Sequence, residues 1–129
     1  MSAASPIVTG VDFVSIPTRD FEGARRFYAE VLGLESSITW GEENPMGAEF
    51  ETGTVTLALL NNEKLGLEFS PNSAPLEFHV DDFEAAKAEL ESRGVEFRGE
   101  TIDSGVCFQA FFADPDGNAL AIHHRYAPR

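Results

Sequence analysis

The sequence predicts an α+β fold in which two βαβββ repeats form a curved eight-stranded mixed sheet, a partly open barrel with helices on its outer face. The motif D-F-E-x-A occurs twice, at positions 20 and 82, and each copy opens a helix-like stretch. Alternating apolar runs surround both copies. One repeat alone would bury too little apolar surface to be stable. We therefore predict a single domain over residues 1–129, with a first half at 7–60, a linker at 61–74 and a second half at 75–126.

The helix of each repeat is predicted to begin after an aspartate and to end at a glycine. Asp20 and Asp82 stand at N-cap positions, where a carboxylate accepts a free backbone N–H. Gly33 and Gly94 stand where a left-handed residue ends a helix. Apolar residues recur between them at helical spacing. These residues are Phe21, Ala24, Phe27, Tyr28, Val31 and Leu32 in the first helix, and Phe83, Ala86 and Leu90 in the second.

Each half is predicted to contain one strand before its helix and three after it. In the first half the apolar patterns indicate strands at 11–16, 36–40, 48–51 and 55–60. In the second half they indicate strands at 76–80, 95–98, 108–112 and 119–123. The last two strands of each half are joined by glycine-containing turns, at 52–54 and at 114–118. The second turn lacks the additional acidic ligands that a calcium loop requires, so we interpret it as a turn.

Composition excludes several classes of partner. The chain has 22 Asp+Glu against 9 Lys+Arg, a net charge of −13, which would repel nucleic acid and anionic membranes. It has no apolar run of the roughly 18 residues that a membrane span needs. Its first six residues lack the features of a signal peptide. The single cysteine, Cys107, fits a reducing compartment and reads as a small buried hydrophobe. We expect a cytoplasmic protein.

The order and spacing of the motifs resemble the vicinal-oxygen-chelate superfamily, which includes glyoxalases, bleomycin-resistance proteins and extradiol dioxygenases. The matching segments are residues 16–20, Phe27-Tyr28 leading to 32–34, residues 78–82 and above all Asp114-Pro115-Asp116-Gly117-Asn118. The resemblance covers nearly the whole chain. It implies this fold, a small-molecule ligand and a homodimer. It does not name an activity, because the superfamily contains several enzymes as well as drug-binding proteins.

The resemblance also indicates where a metal would be held. Catalytic members typically bind a divalent ion through four inward-facing His, Glu or Gln side chains. Those positions correspond here to Phe13, Ala58, Pro75 and Ala121. None of these side chains has a lone pair to donate. We therefore expect a member without that metal and without another cofactor.

Strand alternation nominates the side chains that line the ligand cavity, since successive residues point to opposite faces. Trp40 ends a strand, and alternation does not settle on which face of the sheet its side chain lies. The nominated residues are Phe13, Ser15, Trp40, Ala58, Glu77, His79, Ala121 and His123. His124 has the opposite parity and is expected in solvent.

Three functions remain open from the sequence. The leading hypothesis is metal-independent binding of a small, largely apolar or aromatic molecule, since the predicted cavity is mostly apolar. The alternative is a lyase, isomerase or dioxygenase-type enzyme. It would use Glu77 and His79 as acid–base catalysts, or Glu77, His79 and His123 as a shifted metal site. A structural subunit whose own side chains fill the cavity is the third possibility.

Overall fold

The computed structural model, which describes residues 5–41, 43 and 45–128, confirms the α+β fold of two βαβββ repeats. The first half contains β1 (Phe13–Thr18), α1 (Phe21–Arg26), β2 (Glu35–Trp40), β3 (Gly47–Glu51) and β4 (Thr56–Asn61). A short helix, α2 (Asn62–Leu65), opens the linker. The second half contains β5 (Leu76–His79), α3 (Phe83–Ser92), β6 (Arg98–Asp103), β7 (Cys107–Ala113) and β8 (Ala119–Arg125). Residues 1–4 of the predicted N-terminal tail lie outside the described residues.

The eight strands divide into two mixed sheets of four. Their orders are β1-β4-β3-β2 and β5-β8-β7-β6, the same order in each half. The first strand of each half pairs in parallel with the last one, and the remaining pairs are antiparallel. Strands β1 and β5 are therefore edge strands. None of the helices that the structure describes is long and apolar enough to cross a membrane.

Both predicted helix caps are present. The Asp20 carboxylate accepts the Gly23 N–H, and the Asp82 carboxylate accepts the Ala85 N–H, each at 3.1 Å. Gly33 and Gly94 have φ angles of 73° and 95°, the left-handed conformation that ends a helix.

The first helix departs from the prediction after Arg26, where it continues as a π-helical turn, Phe27–Val31. At its end the Leu32 N–H donates to the Phe27 carbonyl, five residues back. Tyr28 is completely buried in this turn, whereas Phe27 is half-buried against the core.

The predicted strand at 95–98 is wrong, because β6 begins only at Arg98. Val95 instead closes the end of α3, where its N–H donates to the Leu90 carbonyl. Val95 and Phe97 pack against the core from an irregular segment, and their apolar side chains produced the strand-like pattern. The true strand lies at an edge of the sheet and is mostly exposed, so its sequence carries no apolar alternation.

The turn after β7, at residues 114–118, makes hydrogen bonds to the first half. Asp114 is buried and accepts hydrogen bonds from the Tyr28 hydroxyl at 2.7 Å, from the Asn118 side chain and from two backbone N–H groups of the turn. Asp116 accepts the backbone N–H groups of Arg19 and Asp20, at the start of α1 in the other half. Burial first, and then the Asp114 charge, raises the pKa of Tyr28 far above its ordinary value. The turn thus ties the second half to the first helix.

Candidate functional site

The sheet of the second half carries a polar row on the face opposite its helix. The strand register places Glu77 beside Ala121, and His79 beside His123, which in turn pairs with Gln109. The Gln109 side-chain amide donates to the Glu77 carboxylate. Glu77 is on β5 and Gln109 on β7, so this bond passes over β8, which lies between them. Ala121 on β8 is completely buried. The register therefore gives Glu77, His79 and His123 one common face, together with Gln109, which the sequence analysis did not single out.

Glu77 and His79 are each engaged with a different partner. The His79 Nε2 atom lies 2.9 Å from an Asp81 carboxylate oxygen, and the His79 side chain is 67% exposed. Glu77 is bonded to Gln109, as described above. The arrangement lacks the Glu77–His79 hydrogen bond that an acid–base pair would use.

His124 differs from its expected solvent-exposed position. It is half-buried, its Nδ1 atom lies 3.0 Å from the Val80 carbonyl oxygen, and its ring centroid lies 6.0 Å from that of His79. The ring thus helps hold the end of β5 against β8, so His124 is unsuitable as a surface control.

The corresponding face of the first half's sheet carries one buried carboxylate, that of Glu49. Ser15, Ala58 and Glu49 lie side by side on β1, β4 and β3, so their side chains share a face. The Trp40 indole N–H donates to Glu49 at 2.8 Å, which places Trp40 on this same face. A Cβ atom added at Gly47 would lie 2.3 Å from the Trp40 ring, so only glycine leaves room for the indole there.

The residues at the family's metal-ligand positions do not fit a divalent ion. Ala58 is 2% exposed and Phe13 is 54% exposed, and neither they nor Pro75 and Ala121 have a side-chain donor atom. Over residues 5–41, 43 and 45–128, no group of three or more His, Cys, Asp or Glu side chains could hold a metal ion. Glu49 is the nearest acidic neighbour of Ala58 across the sheet, and its carboxylate is occupied by Trp40.

A groove of about 620 Å³ lies between the two halves, on the helix side of both sheets. The end of the first helical segment, α3 and the turn at 52–55 border it. Its apolar floor includes Val14, Leu34, Leu57, Leu76, Phe78 and Ile122. Glu77 and His79 of the edge strand β5 also border the groove, so two of the residues nominated from the sequence lie at its rim. The groove itself was not predicted, since it depends on how the halves pack.

Comparison with known proteins identifies the fold. Residues 10–122 match the family model described as Glyoxalase/Bleomycin resistance protein/Dioxygenase superfamily. No protein with a curated description matched the sequence.

Solved structures of the same fold cover nearly the whole chain. TnmS3, an antibiotic binding protein from Streptomyces sp. CB03234, is 26% identical, with a TM-score of 0.75 over 94% of this chain and 99% of its own. A glyoxalase/bleomycin resistance protein from the same organism is 27% identical, with a TM-score of 0.69 over 90% and 100% of the two chains. Lactoylglutathione lyase from Agrobacterium tumefaciens is 17% identical, with a TM-score of 0.75 over 92% and 94%. At that identity the last likeness concerns the fold alone.

Proposed function

The chain belongs to the Glyoxalase/Bleomycin resistance protein/Dioxygenase superfamily, and from this premise we propose that it binds a small, largely apolar or aromatic molecule without a metal ion. The ligand would lie against two sheet faces, here called the concave faces: the one that carries Ser15 and Ala58 in the first half and the one that carries the polar row in the second. The observation that carries the proposal is the chemistry of the former metal positions. An exposed phenyl ring, two buried alanines and a proline stand there, beside an indole whose N–H is already bonded to Glu49. These four positions offer van der Waals contact, and the polar row of the second half lies beside them, a combination that binding pockets use for affinity and orientation.

Two further findings support binding over catalysis. TnmS3, which has this fold, is described as an antibiotic binding protein. The side chains of the rival enzyme hypothesis are engaged elsewhere, since Glu77 bonds to Gln109 and His79 to Asp81. The Glu77 carboxylate and the His79 imidazole are not hydrogen-bonded to each other, so neither is placed to transfer a proton to the other.

We further propose that the protein acts as a cytoplasmic homodimer. Phe13, Ser15, Glu77 and His79 are all exposed in the single chain, so a ligand lying against them would remain largely in water. Within the residues that the structure describes, strands β1 and β5 each have one edge that pairs with no other strand, where a second copy can add strands. A partner placed there would enclose the concave faces. The cytoplasmic location is proposed from the lone cysteine and the acidic surface.

The test uses a neutral aromatic probe, N-phenylnaphthylamine, whose fluorescence rises in apolar sites. We expect saturable binding to the wild type, with a change in the emission of the single tryptophan, Trp40. Phe13→Ala should weaken binding about tenfold or more, because it removes the exposed phenyl ring that the ligand would contact. A tenfold change in Kd corresponds to about 1.4 kcal/mol.

Matched variants separate the concave faces from other apolar surfaces. Leu67 is 53% exposed, almost the same as Phe13 at 54%, but lies in the linker, so Leu67→Ala should leave binding unchanged. Thr54→Phe places a ring at the turn that borders the groove. If Thr54→Phe abolishes binding while Phe13→Ala does not, the ligand occupies the groove and the concave site is wrong. If the wild type does not bind the probe, the proposed function itself fails.

A further inference from the structure

Arg125 lies on the concave face of the second half, at the end of β8. It follows His123 by two residues and so points to the same side of the sheet. Its cross-strand partner is Cys107, and an Arg125 Nη1 atom lies 3.9 Å from the Cys107 sulfur. This contact shows that the guanidinium lies over the same face as the polar row.

The Arg125 guanidinium lacks an acidic partner within the part of the chain that the structure describes. Its Nε atom is completely buried with no hydrogen-bond acceptor, and Nη2 donates to the Pro128 carbonyl at 3.1 Å. The nearby Asp103 carboxylate instead accepts the Tyr126 hydroxyl and the Gly105 N–H. An unsatisfied buried donor on a charged group costs free energy, and the terminal nitrogens are the part of the guanidinium that an acceptor can reach.

Among residues 5–41, 43 and 45–128, no carboxylate forms an ion pair with Arg125, although the chain has 22 acidic and 9 basic residues. Glu77 is the acidic side chain of the polar row, but it lies level with Ala121, four residues before Arg125 along β8. That separation is roughly 13 Å at the rise of a β-strand. Glu77 is also bonded to Gln109, and Asp81 is bonded to His79. The positive charge of Arg125 is therefore not neutralised by the acids of its own sheet.

The face of β8 changes character along its length. Ala119 and Ala121 give it a small, apolar end, whereas His123 and Arg125 give it an end rich in hydrogen-bond donors. Phe111 on β7 pairs with Ala121 and extends the apolar end, and Gln109 pairs with His123. A ligand that fits both ends has an aromatic or apolar body with an acceptor group at one extremity.

We propose that Arg125 recognises an acidic group of the ligand, of the carboxylate or sulfonate class, attached to an apolar aromatic body. This inference rests on the proposed function and adds the charge of the ligand to it. A carboxylate or sulfonate can accept from the two terminal nitrogens of a guanidinium in a bidentate, charge-assisted pair, and each of those nitrogens of Arg125 has an N–H beyond the one directed at Cys107 or Pro128. Arg125 thereby sets specificity for anionic over neutral aromatic molecules, against the repulsion of a protein whose net charge is −13.

The test compares two probes that share one ring system. N-phenylnaphthylamine is neutral, and anilinonaphthalene sulfonate carries a negative charge. Fluorescence titration of the wild type should give a Kd for the sulfonate at least about tenfold below that of the neutral probe. Arg125→Gln, which removes the charge and leaves a shorter polar side chain, should abolish this preference and change the Kd of the neutral probe by less than about twofold. Arg125→Lys should retain part of the preference, since it keeps the charge without the bidentate geometry.

The control is Arg26→Ala, which removes one positive charge from an exposed position on α1. It should leave the preference for the sulfonate intact. The inference is overturned if the wild type binds the neutral probe but shows no preference for the sulfonate, if Arg26→Ala acts like Arg125→Gln, or if Arg125→Gln weakens both probes equally. In each of those outcomes the proposed function stands. If the neutral probe does not bind the wild type at all, the proposed function fails and this inference fails with it.

Discussion

Tyr28 makes the hydrogen bond that most directly joins the two halves, and Tyr28→Phe removes it while changing little else. The tyrosine is completely buried, and its hydroxyl donates to Asp114 at 2.7 Å across 86 residues of sequence. The substitution removes one oxygen and keeps the ring, so the loss of packing is small. Asp114 retains its donors from the Asn118 side chain and from the turn backbone. The cost is therefore that of one buried hydrogen bond to a charged acceptor, about 1.5 to 3 kcal/mol.

Urea unfolding at pH 7 measures this cost, and Tyr126→Phe provides the matched control. The Tyr126 hydroxyl donates to Asp103, also at 2.7 Å, but at an exposed site where water can replace it. We expect Tyr126→Phe to lower the free energy of unfolding less than Tyr28→Phe does. Equal losses in the two variants, or a loss below about 0.5 kcal/mol for Tyr28→Phe, would refute the argument from burial.

The same pair predicts a dependence on alkaline pH. Burial and the Asp114 charge raise the pKa of Tyr28 in the folded protein, whereas in the unfolded chain it is about 10. The stabilisation is therefore complete below pH 10 and is lost progressively above it, as the unfolded chain begins to release the proton. Tyr28→Phe lacks this group, so its deficit relative to the wild type should shrink above pH 10. A constant deficit up to pH 11 would contradict the raised pKa.

Three further predictions concern packing, metal and assembly. Leu90→Ala should lower the free energy of unfolding by roughly 2 to 5 kcal/mol, since Leu90 is buried on α3; a loss below about 1 kcal/mol would contradict its place in the core. Truncating the half-buried Phe27 to alanine should lower the free energy of unfolding by less than Leu90→Ala does, in the same urea titrations. Dialysed protein should hold well under one equivalent of Zn, Fe, Mn, Ni or Co by elemental analysis; a full equivalent that His79→Ala removes would point to a shifted metal site. Light scattering at tens of micromolar should give the mass of a dimer, and a monomer mass would contradict the proposed assembly.

The sequence was sufficient where local interactions decide the structure. The two aspartate caps and the two terminal glycines act within a few residues of themselves, so the motif alone located both helices. The fold class followed because the same local pattern occurs twice. The strand prediction failed at β6, because Val95 and Phe97 pack inward from an irregular segment and the true edge strand carries mostly polar residues.

The sequence was insufficient where contacts join distant residues. Glu49 and Gln109 belong to predicted strands, but only the strand register shows that they reach Trp40 and Glu77. The turn at 114–118 was identified as a turn, while its bonds to Tyr28 and to the start of α1 span more than 80 residues. No pattern within one segment could reveal such partners. The groove depends on the same long-range packing.

The two halves have two equivalent junctions, one between the turn at 114–118 and Tyr28, the other between the turn at 52–54 and Leu90. The repeat explains why only the first is closed by a hydrogen bond. Thr52 and Asp114 are 62 residues apart, as are Tyr28 and Leu90, so each pair occupies equivalent places in the two halves. Thr52 accepts the backbone N–H groups of Thr54 and Val55, as Asp114 accepts those of its own turn. Only the carboxylate has a second oxygen to receive Tyr28, and Leu90 has no hydroxyl to offer Thr52. The acidic turn therefore closes one junction with a buried hydrogen bond, while Thr52 and Leu90 line the open groove at the other.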